Sequence, residues 1–222
     1  MFRQDALESV PIVNTVLNAL LAWTATRGRE GADLRAAVGD VKGRGLIYLQ
    51  TDSIGPHLVE CFDLAVAAGI TLPQMLQVRT VAASQHAFLV GAIMVRDAMI
   101  ELALASSGEI IAGMVFKSRQ LVDQTRDAIN LAFEAIEETV ADDMDSMTYR
   151  SLISLHAAII AHMTETARPL PRMLTFQFGF AQPTLVMAYK LYADAGRANE
   201  LRAENKVVHP AFTRPRGRAL SA

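Results

Sequence analysis

The stretch Pro183-Thr184-Leu185-Val186-Met187-Ala188-Tyr189-Lys190-Leu191-Tyr192-Ala193-Asp194 decides how the chain is read, together with its continuation through Glu200-Leu201-Arg202-Ala203-Glu204-Asn205 to His209-Pro210-Ala211-Phe212. Leu185, Ala188, Leu191 and Tyr192 fall at helical spacing on one face. Pro183 suits a first helical turn, where a missing N–H costs nothing. Asp194 is placed to cap a second short helix carrying Ala198 and Leu201. Asn205 falls where that helix hands over to extended chain, a position at which Asn tolerates positive φ. Strand-like pieces flank the pair, Leu174 to Phe178 before it and Val207 through Pro210 to Leu220 after it. The order is strand, helix, helix, strand.

Working outward, the preceding residues read as helices. Pro169-Leu170-Pro171 stops the last of them, because a residue before proline is pushed out of helical geometry. The division is a helical bundle over residues 1–168 and a small βααβ module over 169–222. Composition agrees: 51% of residues are hydrophobic, only 6% are aromatic, and this is the mixture of a mainly α chain.

In the bundle, residues 4–27 suggest a helix with Val10, Val13, Leu17, Leu20 and Leu21 on its apolar face and Pro11 marking an early kink or a late start. Gly28 to Gly45 holds five glycines among charges and reads as a flexible connector. Leu46 to Leu49 suits either a strand or a helix start. A helix from Gly55 to Ala68 is ended by Gly69. Thr71-Leu72-Pro73-Gln74 is a capping box, with Ile70 and Met75 as its hydrophobic staple. The helix it opens is expected to run unbroken to Ser106, a rod of about 50 Å. Gly108 and Gly113 bracket the next turn. Ser118 then caps a helix with Val122, Ile129, Phe133, Ile136 and Val140 along one stripe and Glu137 and Glu138 among its wet residues. Asp142, Asp143 and Asp145 break it. The last bundle helix, Ser146 to Arg168, carries Leu152, Leu155, Ile159 and Met163, widened by Ile153, His156 and Ile160 into a face buried on two sides.

The terminal stretch resembles a LysM module through Thr184-Leu185, Ala188, Tyr192, Glu200-Leu201, Asn205, Pro210 and Pro215-Arg216-Gly217, with Leu220 closing. It is more specifically similar to the C-terminal end of the Mu-like phage DNA circulation (DNA circularisation) tail proteins. The residues carrying that likeness are Leu170-Pro171, Ala188 to Tyr192, Ala195, Glu200-Leu201, Asn205 and His209 to Phe212. Ala193 and Ala211 stand where that family tends to carry Gly, and its large N-terminal domain is not represented in this sequence. The resemblance implies a structural protein of a contractile phage tail or phage-like particle, near the baseplate hub. Its partners would be other tail or baseplate subunits, in a homo-oligomeric ring or a hetero-assembly, and its place would be the virion. Two alternatives follow from the same likeness: LysM-type peptidoglycan binding, and binding of DNA ends during circularisation. The residues singled out for partner binding are Tyr189, Tyr192, Asn205, His209, Phe212, Arg214, Arg216 and Arg218.

Charge and motif content narrow the remaining classes. A net charge of −2 argues against a dedicated nucleic-acid binder, whose phosphate contacts need clustered cations. Arg197, Arg202, Lys206, Arg214, Arg216 and Arg218 nevertheless gather positive charge at the C-terminal end, a docking edge for a subunit or for DNA. The final segment reads as a strand edge that a partner could extend. The single cysteine, Cys61, excludes an internal disulfide. His57 and Cys61 are four apart beside Glu60, a spacing open to metal ligation, yet no second pair accompanies them. The acidic run at residues 142–145 lacks the glycine and glutamate of a calcium loop. The most apolar stretch, Thr80 to Val95, falls short of the roughly twenty residues a bilayer needs. No nucleophile elbow, paired-cysteine motif or dinucleotide fingerprint is present. The reading is a non-enzyme with no cofactor and no metal.

Overall fold

The computed structural model describes residues 1–24, 27–142 and 146–221. The chain is mainly helical, with one small two-stranded antiparallel sheet near its C-terminal end. Contacts divide it into two compact units. The first comprises Met1–Met114 and Asn130–Ile159, the second Val115–Ile129 and Ile160–Ala222. Asp143 and Asp145, expected to break a helix, and the side chains of Glu137, Glu138, Val140 and Asp142 lie outside the description.

The first unit is organised around α1 (Arg3–Trp23), which packs against α2 (Gly28–Gln50), α3 (Ile54–Ala67), α4 (Leu72–Ala83) and α5 (Val90–Gly113). Ala6, Val13, Val16, Leu17 and Leu20 recur at helical spacing and are buried, so one stripe of α1 supplies the centre of the core. By length and composition α1 could cross a membrane, but this stripe is packed against its neighbours. Pro11 lies inside α1 and does not delay its start.

Residues 28–45, read as a connector, are instead most of α2. Leu34, Val38, Val41 and Leu49 form a buried stripe, and Gly31 and Gly45 are buried with them. Each glycine costs a helix up to about 1 kcal/mol relative to Ala. Burial against α1 and α3 outweighs that cost, and Lys42 Nζ ties the helix to Asn18 Oδ1 at 2.8 Å. Leu46 to Leu49 is thereby helical.

The expected 71–106 rod is two helices. Gln74 does cap α4, its Oε1 accepting from the N–H of Thr71 at 2.9 Å, and Ile70 and Met75 are buried. The helix nevertheless ends at Ala83. Ser84 and Gln85 side chains donate to the Val81 carbonyl, at 2.8 and 3.0 Å. A new helix, α5, then starts where the carboxylate of Glu8 accepts from the N–H groups of Phe88 and Leu89, at 2.8 and 3.0 Å. A residue on α1 therefore fixes where α5 begins, with an acidic group at a helix N-terminus. Gly108 is no turn residue: it lies within α5 where a Cβ would stand 3.0 Å from Ile159 Cδ1.

Ser118 precedes α6 (Arg119–Asp142) and its Oγ accepts from the Leu121 N–H at 3.4 Å. Val122, Ile129, Phe133 and Ile136 are buried as their spacing predicts. Among the described side chains, helix α7 (Ser146–Ala167) is buried along one line, Leu152, Ile159 and Met163. Ile153 is exposed and His156 half-buried, so the second buried side is not formed. His156 stacks on Phe133 at 4.5 Å and meets Asn130 Oδ1 at 3.0 Å.

In the second unit, the order is β1 (Met173–Gln177), α8 (Thr184–Tyr192), a 3-10 turn at Ala195–Arg197, α9 (Ala198–Glu204) and β2 (Arg216–Leu220). The strands pair antiparallel from Met173 opposite Leu220 to Gln177 opposite Arg216. Phe176, Met187, Ala188, Leu201 and Ala219 form the core, with Phe178, Leu191, Tyr192 and Ala198 packed on it. Met187 takes the inward place expected for Leu185, which is exposed. The start of α6 joins this unit: Arg119 donates to the carbonyls of Arg168 and Leu170, both at 2.8 Å, and Gln120 exchanges hydrogen bonds with the backbone of Met173.

Candidate docking surface

The loop between α9 and β2 is pinned from below by a buried polar network. The Pro210 carbonyl accepts from the Thr184 N–H at 2.7 Å and its hydroxyl at 2.9 Å, closing the N-terminus of α8. The Thr184 and Thr213 hydroxyls meet at 2.6 Å, and the Thr213 N–H donates to the Gln182 carbonyl at 3.0 Å. Arg202 Nε holds the Val207 carbonyl at 3.1 Å. The loop also presents apolar side chains to solvent: Val208 is 91% and Phe212 74% exposed.

These residues border a groove of about 540 Å³. It gathers five of the eight residues singled out from sequence, namely Asn205, His209, Phe212, Arg214 and Arg216. His209 and Phe212 rings meet at 5.4 Å. Lys206 adds a third cation, no carboxylate lines the groove, and the surface therefore suits an anionic partner with an apolar anchor.

The other three residues do not join it. Tyr189 is exposed on α8, outside the groove. Tyr192 packs on the module core, with the Arg197 guanidinium 3.8 Å above its ring and Glu200 holding Arg197 at 2.7 Å. Burial, with Glu200 adding to it, raises the Tyr192 phenol above its ordinary value. Its work is structural. Arg218 is exposed on β2, opposite Thr175.

Asn205 has a different part from the one expected. Its φ is −98°, and the left-handed residue is Lys206 at 50°. Its side-chain amide donates to the Arg218 carbonyl at 2.8 Å and to the Leu201 carbonyl at 2.8 Å, and its oxygen accepts from the Arg218 N–H at 2.7 Å. The β2 groups facing away from β1 at Arg218 are thus satisfied, and the edge expected to accept a partner strand is sealed there. Gly217 makes this possible, because a Cβ would collide with the Asn205 oxygen and stand 2.6 Å from Phe176 Cζ.

Sequence reading missed Val208, whose apolar character suggested a strand and not an exposed anchor. It also missed a second groove, of about 840 Å³, in the first unit. Phe2, Val59, Val90 and Met94 line it and are all exposed, at 84, 42, 73 and 66%. Asp5, Asp52 and Glu101 also line it. Exposed apolar side chains grouped in this way are common where proteins make contacts. Val90 and Met94 lay inside what read as a continuous buried rod.

His57 and Cys61 have separate surroundings. Cys61 is fully buried and burial pushes its thiol up to about 12, so it stays protonated. His57 stacks on Tyr48 at 4.0 Å, while the Tyr48 hydroxyl donates to Asp40 Oδ2 at 2.6 Å. Among the described residues no three His, Cys, Asp or Glu side chains are grouped to hold a metal ion. No protein-family model matches the chain, and no curated protein matches it.

Proposed function

We propose that the chain is a structural subunit of a contractile phage tail or phage-like particle, at or near the baseplate hub, acting by assembly and not by turnover. The observation that carries this reading is the βααβ order of the terminal module. The residues behind the resemblance have defined work in that module. Ala188 and Leu201 are core, Asn205 seals the β2 edge, and Gly217 leaves room for it. Ala193, at a position where the resembled family tends to carry Gly, has φ of 55°, the left-handed region that glycine favours. Two grooves with exposed apolar side chains, one in each unit, suit a protein whose faces are covered by neighbours.

The test is to image and analyse particles released by the organism that encodes the chain. The expected result is the protein at the distal end of the tail, at a fixed copy number. Soluble protein with no particle association would overturn the reading. Retention on peptidoglycan in place of particle association would replace it with wall binding.

A further inference from the structure

We infer that the apolar groove of the first unit receives the Val208–Phe212 loop of a second copy of this chain, so that copies join head to tail. The inference deepens the assembly reading above by naming the interface and its occupant. Three observations select a second copy.

The first is apolar fit. The groove between the start of α1, the start of α3 and the first half of α5 is lined by exposed Phe2, Val59, Val90 and Met94. The loop offers Val208 and Phe212, both exposed, and is tied to the start of α8 by the Thr184, Pro210 and Thr213 network. Each surface has the apolar area that the other needs to cover.

The second is charge. Residues 1–168 hold thirteen Lys and Arg against twenty Asp and Glu, and residues 169–222 hold eight against three. Locally, Asp5, Asp52 and Glu101 line the apolar groove, with Asp52 also holding the Met1 amine at 2.9 Å. Lys206, Arg214 and Arg216 border the loop. Opposite potentials steer two such surfaces together.

The third is exclusion of the symmetric alternatives. Two loops facing each other would oppose cations, and two grooves would oppose carboxylates. Only the loop of one copy against the groove of the next avoids both penalties. Such a contact uses two different patches, so repetition closes a ring or extends a filament.

The test uses two variants of the full chain, measured by sedimentation. V208D/F212A spoils the loop and V90K/M94K spoils the groove. All four positions are exposed, and circular dichroism checks that each variant folds. Wild type is expected to self-associate with rising concentration, and less so when salt is raised from about 0.05 M to about 0.5 M. Each variant alone is expected to weaken association at least tenfold. Mixed together, they retain one intact loop and one intact groove, so they should form a one-to-one dimer that grows no further. A monomeric wild type at every concentration, or variants that assemble like it, would overturn the inference. So would DNA binding that the loop variant abolishes while self-association persists. A monomer found in particles would sink this interface and leave the tail reading standing, whereas an assembling protein absent from particles would do the reverse.

Discussion

Phe62 in the bundle and Asn205 in the terminal module are both central to their units, but they hold them by different means. Phe62 is buried in α3, which packs chiefly against α2 and α5. Its contribution is area and close packing, spread over many weak contacts. Asn205 is only partly buried and contributes three directed hydrogen bonds, one to Leu201 and two to Arg218. The module has five buried residues in its apolar core, too few to position a strand by packing alone. Direction compensates for the area it lacks. A unit held by area should lose stability in proportion to volume removed, whereas one held by direction should be sensitive to single atoms.

Phe62→Ala tests the first half of that contrast and carries the largest expected effect. It should destabilise the bundle by about 3–5 kcal/mol, from lost transfer energy and the cavity left behind. Urea unfolding of the full chain would measure it. A loss below about 1 kcal/mol would mean that the core around Phe62 is not close-packed.

Asn205→Ala tests the second half. It leaves the Arg218 N–H and carbonyl without their partner at an exposed strand edge, where water can replace it, a cost of about 0.5–1.5 kcal/mol. Hydrogen exchange at the Arg218 amide should accelerate sharply while amides in α1 keep their protection. Asn205→Asp sharpens the comparison, since it retains an acceptor for the N–H and loses the donor to the carbonyl. Unchanged exchange in the alanine variant would show that the edge is sealed by something other than this side chain.

The same contrast explains what could be read from the residues alone. The βααβ order was legible because its signals are local. Pro183 opens α8, and Pro169 and Pro171 stop α7; Asp194, expected to cap the second helix, caps the 3-10 turn before it, its oxygen accepting from the Gly196 N–H at 2.7 Å. Gly69, at φ of 83°, ends α3 where expected. The glycines of α2 misled because propensity is local and the burial that overrides it is not. Asn205 was noticed for its backbone tolerance, yet its work depends on Arg218, thirteen residues away. Five of the candidate site residues share one groove because they are close in sequence. The groove of the first unit draws on α1, α3 and α5 and has no local signature.

The break between α4 and α5 is where a bundle held by area also depends on direction. Nothing from Ser84 to Leu89 forbids a helix: the segment has no Gly and no Pro. What ends the rod is a competing set of partners, and the strongest of these is the Glu8 carboxylate, which takes two backbone donors eighty residues along the chain. Both hydrogen bonds are exposed, so their removal costs far less than the loss of Phe62. Glu8→Gln keeps one acceptor and removes the charge that favours a helix N-terminus, and should destabilise the bundle by about 1 kcal/mol. Exchange of the Phe88 and Leu89 amides should quicken, while Met99 and Leu104, deep in α5, should stay protected until global unfolding. If Phe88 and Leu89 instead gain protection together with Ser84 and Gln85, the two helices have fused into the rod, and Glu8 is what keeps them apart. If none of these amides changes, the break belongs to the packing of α4 on α5, and the bundle is held by area even there.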